Sequence, residues 1–543
     1  AGLTEGQTIT ICSSESSIAT TQQAGFLFET RCGFYRWRTA DGDNRTVSKL
    51  ASNAPRLIET LDQTSIDRPD PERPSSWDSL DGFELDDSQK KVVAEVLGLE
   101  EGELSLVVGP PGSGKTEVIA KTADELATAG ERVLVTSHTN IAVDNVIEKL
   151  AGQDDQQVVR VGRPEKLSKG SKELMLSKVM ENSENETVRR VLDKVGSVKE
   201  SISNLDNGAQ VDAKQAELTR LRRKIKDLQE GAEAISINNA DVTGATIIRS
   251  QLGGLSQVNF DTVIIDEASQ ISVPLGLLGM VNAKKWVVVG DHNQLQPVLK
   301  TLSTHDGSPP EQASLFSFLR NRYDIERWLE YHYRSHEDII GFAQEYVYDN
   351  QIDTAASCPS NSDWKFSASS PTKSIANGPP VVFVDVAGDE AWRRRFSGTI
   401  NEREVEVVRK LVCQFMREDV VPEEELGVIT PYRGQRSLIE DALPGYDDVE
   451  GSTVDGFQGR EREMIIFSTV NTETSGMRFA GNKNRFNVAS TRPKSRFVMV
   501  GNQAEIREHA PMGNTLKRFI RYVEEQGRIY DWQNEEWAGG KGA

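Results

Sequence analysis

The sequence predicts an α/β protein with two parallel-sheet domains. From residue 83 onward, short apolar runs alternate with helical stretches, a pattern typical of parallel sheets covered by helices. A phosphate-binding loop lies between the apolar run "LSLVVG" and the predicted helix "TEVIAKTADELAT". A second strand–helix alternation begins at "VVFVDVAG", which predicts a second α/β domain.

Changes in composition divide the chain into regions. Residues 1–61 contain short strand-like runs, and residues 62–82 are rich in Pro, Asp and Ser, which is typical of a linker. We assign residues 83–375 to the first α/β domain, with a polar helical insertion at 165–235, and residues 376–543 to the second.

Part of the insertion, residues 183–231, has the apolar spacing of a coiled coil. Apolar residues recur at alternating steps of three and four on both sides of the turn-like "DNG", which predicts an antiparallel helical hairpin. Such a hairpin could contact nucleic acid or a protein partner, and the alternative is a solvated spacer without a binding role. The seam positions are Val188, Val191, Val195, Val198, Ile202 and Leu205, then Val211, Lys214, Leu218, Leu221, Ile225 and Leu228.

The composition constrains location and partners. No apolar run approaches the ~20 residues of a membrane span, and no secretory leader opens the chain, so we expect a cytoplasmic protein, or a nuclear one in a eukaryote. The net charge of −20 argues against binding phosphates through lysine and arginine. Either the partner is not a nucleic acid, or the acidic surface is an adaptation to a salt-rich cytoplasm.

The stretch "GPPGSGKT", residues 109–116, fits the phosphate-binding pattern G-x-x-x-x-G-K-[ST]. Backbone N–H groups of such a loop cradle phosphate oxygens at a helix N-terminus. Lys115 would reach the β- and γ-phosphates of ATP, and Thr116 would ligate Mg²⁺. The remaining predicted cradle residues are Gly109, Pro110, Gly112, Ser113 and Gly114.

Two later strands end in groups suited to hydrolysis. In "TVIIDEASQ", Asp266 could hold the Mg²⁺ and Glu267 could deprotonate the attacking water. In "GDHNQLQPV", Gln294 could contact the γ-phosphate. The alternatives are an acidic pair on the surface and an ordinary loop amide.

The order of these motifs resembles that of the superfamily 1 helicases. The resemblance covers roughly residues 83–503 and, within that superfamily, is strongest to the branch of the nonsense-mediated-decay RNA helicase and the flap-processing nuclease–helicase of DNA replication. It implies two RecA-like motor domains and a small β-barrel over residues 1–61. The motifs read "LDDSQKKVV", "GPPGSGKT", "SHTNIAVDN", "IIDEASQ", "GDHNQLQPV", "YHYRSH", "VITPYRGQ", "STVDGFQGRE" and "NRFNVASTRPK".

The resemblance assigns further roles around ATP. Gln89 would read the adenine edge, Tyr333 would stack on the base, and Glu461 would contact the ribose. Arg334 and Arg492 would act as arginine fingers on the γ-phosphate. One departure is the ending Thr-Arg-Pro-Lys at residues 491–494, where the family often has Thr-Arg-Ala-Arg.

The resemblance also implies a nucleic-acid partner, held largely by hydroxyl and amide groups that do not require a basic surface. We therefore expect a monomeric, salt-adapted helicase that moves 5′ to 3′ on single strands, with DNA favoured. The alternatives are an RNA helicase of the same branch and an ATP-gated clamp that remodels complexes without processive unwinding. The candidate contacts are Ser137, Thr139, Asn140, Thr246, Thr430, Arg433 and Thr453.

Overall fold

The structure, a computed structural model, divides the chain into two compact units. The first comprises residues 1–107, 116–290 and 297–327, and the second comprises residues 108–115, 291–296 and 328–543. The residues that the structure describes are 37–38, 44–45, 50–77, 84–151, 157–163, 167–174, 215, 217, 219–221, 237–297, 314–359, 375, 378–471 and 473–540.

The first unit is built on a seven-stranded sheet of order β3-β4-β2-β5-β6-β1-β7. The pairings β3–β4, β4–β2, β2–β5 and β5–β6 are all parallel, which confirms the predicted sheet type. Strands β1 and β2 are buried along their whole length, so they appear in the sequence as continuous apolar runs. The strands are β1 Leu104–Val108, β2 Val133–Ser137, β3 Val158–Val161, β4 Val242–Thr246, β5 Phe260–Ile265, β6 Ala283–Gly290 and β7 Glu326–Trp328.

Each strand from β1 to β6 is followed by a helix, as the alternation predicted, and two further helices precede β1. Their bounds are α1 Leu50–Asp62, α2 Asp87–Leu97, α3 Lys115–Thr128, α4 Asn140–Leu150, α5 Lys169–Glu173, α6 Ile247–Ser250, α7 Val273–Met280 and α8 Leu315–Arg322. Short 3₁₀ turns span Gly253–Gln257 and Ala268–Gln270.

Helix α1 corrects the prediction of a β-barrel over residues 1–61, because it occupies the last part of that range. The helix belongs to the first unit, where Tyr323 Oη donates to Thr60 O at 2.8 Å and Thr60 Oγ1 donates to Gly102 O at 2.7 Å. Earlier in the range, Trp37–Arg38 pairs antiparallel with Asn44–Arg45, and the other residues before α1 lie outside the described part of the chain.

Of the predicted linker at 62–82, the structure describes residues 62–77: residue 62 ends α1, and residues 63–77 contain no helix or strand but belong to the first unit. Ser75 Oγ donates to Glu125 Oε1 at 2.9 Å, and Glu125 also pairs with Lys121 at 2.7 Å. Glu72 N donates to Ala94 O at 2.8 Å. The polar residues that indicated a linker are therefore hydrogen-bonded along the surface of the unit.

The second unit is built on a seven-stranded sheet of order β10-β9-β11-β12-β8-β13-β14. Its pairings are parallel except for the final pair, β13–β14, which is antiparallel. The prediction of a second parallel-sheet domain is thereby confirmed. The strands are β8 Val381–Asp385, β9 Leu426–Thr430, β10 Glu450–Thr453, β11 Arg462–Ser468, β12 Pro493–Gly501, β13 Arg528–Asp531 and β14 Glu536–Gly540.

Alternate residues of these strands enter two different cores. Val382 and Val384 face one cluster, which includes Phe415, whereas Val381 and Phe383 face the other. Short strand pairs also join Tyr331–His332 to Asp353–Thr354 and Ala391–Arg393 to Gly398–Ile400, and 3₁₀ turns span Arg394–Phe396 and Glu423–Glu425. The helices are α9 Glu337–Tyr346, α10 Glu402–Arg417, α11 Arg433–Ala442, α12 Thr474–Ala480, α13 Lys483–Ser490, α14 Gln503–His509 and α15 Thr515–Gln526.

The second unit begins earlier than the predicted boundary at residues 375–376. Residues from 328 onward belong to it, because α9 packs on the second sheet through Ile339 and Phe342. The hydroxyl of Tyr522 on α15 also donates to Asp338 O at 2.6 Å. The sequence shows that α9 has an apolar face, but not which of two similar sheets that face covers.

The predicted coiled-coil hairpin lies outside the described residues, except for positions 215, 217 and 219–221, which are helical. Within the described ranges, no helix combines the length and apolar character needed to cross a bilayer.

A buried carboxylate organises the turn after β11. Glu404 on α10 accepts hydrogen bonds from Ser468 Oγ at 2.6 Å, Thr469 Oγ1 at 3.1 Å and Val470 N at 3.0 Å. Val470 has a φ of 72°, which is costly for a β-branched residue. Burial raises the pKa of Glu404 to about 7 despite these donors.

We expect Glu404→Gln to remove a pH dependence of stability. The pKa of Glu404 in the folded state is above the usual 4.5. The contribution of Glu404 to the unfolding free energy is therefore complete below pH 4.5 and is lost as pH rises through about 7. Relative to the variant, the wild type should lose on the order of 3 kcal/mol of unfolding free energy between about pH 5 and about pH 8. Urea unfolding measured across this range tests the expectation. The control is Glu402→Gln, which changes an exposed glutamate on the same helix. Parallel pH profiles of the unfolding free energy for the wild type and Glu404→Gln would contradict the expectation.

Candidate functional site

The phosphate-binding loop connects β1 to α3 as predicted. Gly112 and Gly114 have φ values of 68° and 75°, a backbone region that glycine adopts without strain. Lys115 Nζ donates to Gly109 O at 2.6 Å and to Pro110 O at 3.2 Å, so the loop curls around its lysine. A Cβ on Gly109 would lie 2.2 Å from Lys115 Cγ, so a larger residue there would displace the lysine side chain. The loop therefore has the backbone and the cation that an anionic phosphate requires.

His332 fixes the loop from the segment that follows β7. Its Nδ1 lies 2.7 Å from Pro111 O, and Ser335 N donates to its Nε2 at 2.7 Å. Burial and the nearby charge of Arg334 lower the pKa of His332 to about 3, so the ring is neutral and carries its proton on Nδ1. A Cβ on Gly112 would lie 2.6 Å from His332 Cε1. Sequence reasoning had no ground to single out this histidine, which is one of several polar residues in "YHYRSH".

Tyr333 and Arg334 lie directly beyond His332. Tyr333 N donates to Gly112 O at 2.8 Å, and a Cβ on Gly112 would lie 2.9 Å from Arg334 Cβ. The structure thus brings a predicted arginine finger and a predicted adenine-stacking residue into contact with the phosphate-binding loop.

Arg334 joins the other predicted nucleotide contacts of the second unit. Its Nε lies 2.5 Å from Glu461 Oε2, and its Nη1 donates to Thr491 O at 3.2 Å. Burial acts to raise the pKa of Glu461, but the charges of Arg334 and Lys494 outweigh it and hold that pKa below its usual value. Arg492 follows Thr491 and is only 4% exposed.

Arg492 is positioned by backbone carbonyls. Its Nε donates to Val488 O at 2.9 Å, just before α13 ends at Ser490. Pro493 then begins β12. The proline that departs from the family pattern therefore lies at a strand start, and the position of Arg492 does not depend on a longer helix.

The loop after β6 is held by a polar network within the second unit. Gln294 Nε2 donates to Asp291 Oδ2 at 2.8 Å, and Tyr348 Oη donates to the same oxygen at 2.6 Å. Asn487 Nδ2 donates to Asn293 O at 2.9 Å and to Tyr348 Oη at 2.8 Å. Burial and the charge of Asp291 raise the pKa of Tyr348 well above its ordinary value, so its hydroxyl remains a donor. Sequence reasoning identified Gln294 but missed Asp291, Tyr348 and Asn487, of which the last two are far from it in the chain.

The two acidic residues predicted for hydrolysis follow β5 in the first unit. Glu267 N donates to Asp266 Oδ1 at 2.7 Å, and Gln270 Nε2 donates to Glu267 Oε2 at 2.8 Å. Glu267 adopts the left-handed conformation with a φ of 55°, which is uncommon for glutamate and is found preferentially at functional sites. Asp266 and the hydroxyl of Thr116, at the start of α3, supply oxygen donors of the kind that Mg²⁺ prefers.

His138 is a further residue that sequence reasoning missed. Strands β2 and β5 pair in parallel with Thr136 opposite Ile265, so His138 lies level with Glu267 two positions further on. Burial lowers the pKa of His138, although the negative charge of Glu267 partly opposes this effect. Its Nδ1 has no hydrogen-bond partner within the described part of the chain.

Gln89 lies in a capping box at the start of α2. Its Oε1 accepts from Asp86 N at 3.0 Å, and Asp86 Oδ1 accepts from Gln89 N at 2.9 Å. The side chain is buried, and contact with adenine stays a prediction.

The nucleic-acid candidates of the first unit lie at strand ends and helix starts. Ser137 ends β2, and its buried hydroxyl has no partner among the described residues. Thr139 caps α4 by accepting from Ala142 N at 3.4 Å. Asn140 Oδ1 accepts from the buried Arg160 at 3.1 Å, and Thr246 occupies the N-cap of α6.

In the second unit, Thr430 ends β9, and its buried hydroxyl also has no partner in the described ranges. Arg433 begins α11 with an exposed side chain. Thr453 Oγ1 accepts from Gly456 N at 3.3 Å. The candidates of both units thus follow parallel strands, and binding of nucleic acid by each stays a prediction.

This combination of a phosphate-binding loop after a buried strand and an acidic pair after another strand of the same sheet defines a P-loop nucleotide hydrolase. Comparison with known proteins defines the family. Models described as an AAA domain match residues 84–302 and 311–504.

Similar proteins include helicases from several organisms. The chain is 29% identical to the DNA-binding protein SMUBP-2 of Rattus norvegicus, over 82% of this chain and 45% of that protein. It is 29% identical to an uncharacterized ATP-dependent helicase of Methanocaldococcus jannaschii, over 84% of this chain and 74% of that protein. It is 30% identical to the ATP-dependent helicase upf1 of Schizosaccharomyces pombe, over 85% of this chain and 49% of that protein.

The chain belongs to the superfamily 1B helicases and is related to the UPF1-like branch. At the level of this family, the predicted enzyme class, an ATP hydrolase, is confirmed. The chain spans about half the length of the rat and fission-yeast relatives.

We expect His332→Ala to weaken ATP binding about tenfold or more. The change leaves the buried Pro111 O and Ser335 N without their partner, at about 1–3 kcal/mol each, and so loosens the loop. Titration with a fluorescent ATP analogue measures the affinity. Tyr331→Ala, which removes a neighbouring exposed side chain, is the control. An unchanged affinity in a folded His332→Ala variant would show that the loop does not need this support.

Proposed function

We propose that the chain is an ATP-driven helicase or translocase that moves 5′ to 3′ on single-stranded nucleic acid, with DNA favoured. The observation that carries the proposal is the packing of the phosphate-binding loop against His332, which bonds to Pro111 O, and against Arg334, which lies beside Gly112. This contact connects the nucleotide-binding loop to the segment that carries a predicted arginine finger.

The proposed chemistry divides among a few side chains. Lys115 and the loop N–H groups bind the β- and γ-phosphates of ATP. Glu267 takes the proton of the attacking water, and its left-handed backbone together with Gln270 holds its carboxylate in place. Arg334 and Arg492 stabilise the negative charge that develops on the γ-phosphoryl oxygens. Gln294, tied to Asp291, reports the presence of that phosphate.

Thr116 and Asp266 would hold Mg²⁺, which when bound neutralises phosphate charge. Gln89, Tyr333 and Glu461 would hold the nucleoside. For Glu461 this is consistent with the lowered pKa, because an ionised carboxylate accepts hydrogen bonds from ribose hydroxyls.

The single-stranded nucleic acid would run along the ends of the parallel β-strands of each unit. Ser137 is the last residue of β2, and Thr430 is the last residue of β9. One similar protein is named a DNA-binding protein, and another is named an ATP-dependent helicase without mention of a nucleic acid. These names do not decide between DNA and RNA. An RNA helicase is therefore the second candidate, and an ATP-gated clamp that remodels protein–nucleic-acid complexes is the third.

Several finer proposals concern the rest of the chain. We propose a coiled-coil hairpin at 183–231 that contacts nucleic acid or a protein, and a monomeric state. The net charge of −20 favours a salt-adapted prokaryote and a cytoplasmic location.

We expect Glu267→Gln to bind ATP and single strands normally but to lose more than about nine-tenths of ATP turnover, because an amide can hold a water yet cannot take its proton. Steady-state phosphate release measures turnover, and nucleotide titration measures binding. The matched control is Glu59→Gln, which makes the same change at an exposed glutamate on α1 of the same unit. Turnover above about a tenth of the parent rate would exclude Glu267 as the base.

We expect single-stranded DNA to stimulate ATP hydrolysis more than RNA of the same sequence, and activity to increase from low salt toward molar KCl. Hydroxyl and amide contacts release few counterions, so salt should weaken this part of the binding of the nucleic acid only slightly. ATPase rates with each strand across a KCl series provide the measurement. Greater stimulation by RNA would favour the second candidate, and full activity at low salt with loss near 1 M would exclude salt adaptation.

A further inference from the structure

A hairpin in the second unit carries an unusual cluster of positive charge. Strand Ala391–Arg393 pairs antiparallel with Gly398–Ile400, and the 3₁₀ turn Arg394–Phe396 connects them. We call residues 391–400 the basic hairpin. Its sequence, "AWRRRFSGTI", places three consecutive arginines next to a tryptophan in a chain with a net charge of −20.

The tryptophan of the basic hairpin faces solvent. Trp392 is 65% exposed, which makes it the most exposed aromatic side chain of the described residues. An exposed indole ring next to guanidinium groups is the combination that stacks bases of single strands.

Two of the three arginines are held by ion pairs that a phosphate can replace. Arg395 Nη2 lies 3.0 Å from Asp441 Oδ2, and Arg393 Nε lies 3.4 Å from Glu402 Oε1. All four side chains are more than half exposed, so water and salt screen both pairs. The guanidinium groups therefore remain accessible to an anion.

The basic hairpin is packed against the start of α11. A Cβ on Gly434 would lie 3.1 Å from Gly398 C, so the two backbones touch, and Arg433 is the residue immediately before Gly434. Arg433 on α11 and Thr430 on β9 are two of the residues already proposed to contact single-stranded nucleic acid. The basic hairpin thus lies beside the proposed path of the nucleic acid.

We propose that the basic hairpin is an additional binding surface for single-stranded nucleic acid, with Trp392 stacking on a base and Arg394 and Arg395 contacting phosphates. This inference rests on the proposed function for its ligand. The hairpin adds electrostatic attraction for phosphates beside Thr430, whose hydroxyl would bind without charge.

The experiment uses the full chain and a fluorescein-labelled oligo-dT of about 20 nucleotides, with affinity measured by anisotropy across a KCl series. Arg394→Gln/Arg395→Gln should weaken binding about tenfold and lower the salt dependence by about 1.4 in log–log slope, since each lost phosphate contact contributes about 0.7. Trp392→Ala should weaken binding about fivefold or more, whereas Trp392→Phe should stay within about twofold because it keeps a stacking ring. ATPase activity without a strand should not change in any of these variants.

The matched control is Arg507→Gln/Arg521→Gln, which removes two exposed arginines from α14 and α15. These helices pack on the face of the second sheet opposite α11, so wild-type affinity and salt slope are expected. Hairpin variants that bind like the wild type would overturn the inference and leave the proposed function standing. Equal competition by polyglutamate would overturn nucleic acid as the ligand. A wild-type chain that binds no strand would overturn the proposed function and this inference with it.

Discussion

The hydrogen bonds of one neutral imidazole connect the parts of the candidate nucleotide site in the second unit. His332 bonds to the phosphate-binding loop through Pro111 O and to its own segment through Ser335 N, and both bonds are buried. The low pKa of the ring follows from burial beside Arg334, and a charged ring would lose its acceptor nitrogen. Because Tyr333 and Arg334 follow immediately, their backbone positions relative to Gly112 depend on this contact.

The strands of both sheets could be predicted because buried parallel strands require continuous apolar, β-branched runs. The runs "LSLVVG" and "VVFVDVAG" contain β1 and β8, and "TEVIAKTADELAT" lies within α3. Helix α1 could not be predicted in this way, because Pro55 and the preceding turn-rich "ADGDN" argue against a helix. In the structure the helix forms nevertheless, and its Leu57 is buried. The domain boundary is misplaced in the sequence-based division because α9 carries an apolar face that would suit either sheet.

The candidate site was predictable only where a motif fixes residue types at close spacing. Lys115, Asp266 and Glu267 are of this kind, since one short segment shows both the strand and the groups that follow it. The partners that hold those segments could not be predicted. Asp291, Tyr348 and Asn487 form one network from three distant segments, and the position of His138 level with Glu267 follows only from the pairing of β2 with β5.

The left-handed backbone of Glu267 also has a consequence for the evolution of the chain. A glutamate at a φ of 55° costs folding free energy that glycine or asparagine would not, on the order of 1 kcal/mol. Variation selected for thermal stability alone would therefore favour replacing the glutamate that we propose as the base. At this one position the preference of the backbone and the proposed chemistry oppose each other, a trade between stability and activity confined to one residue.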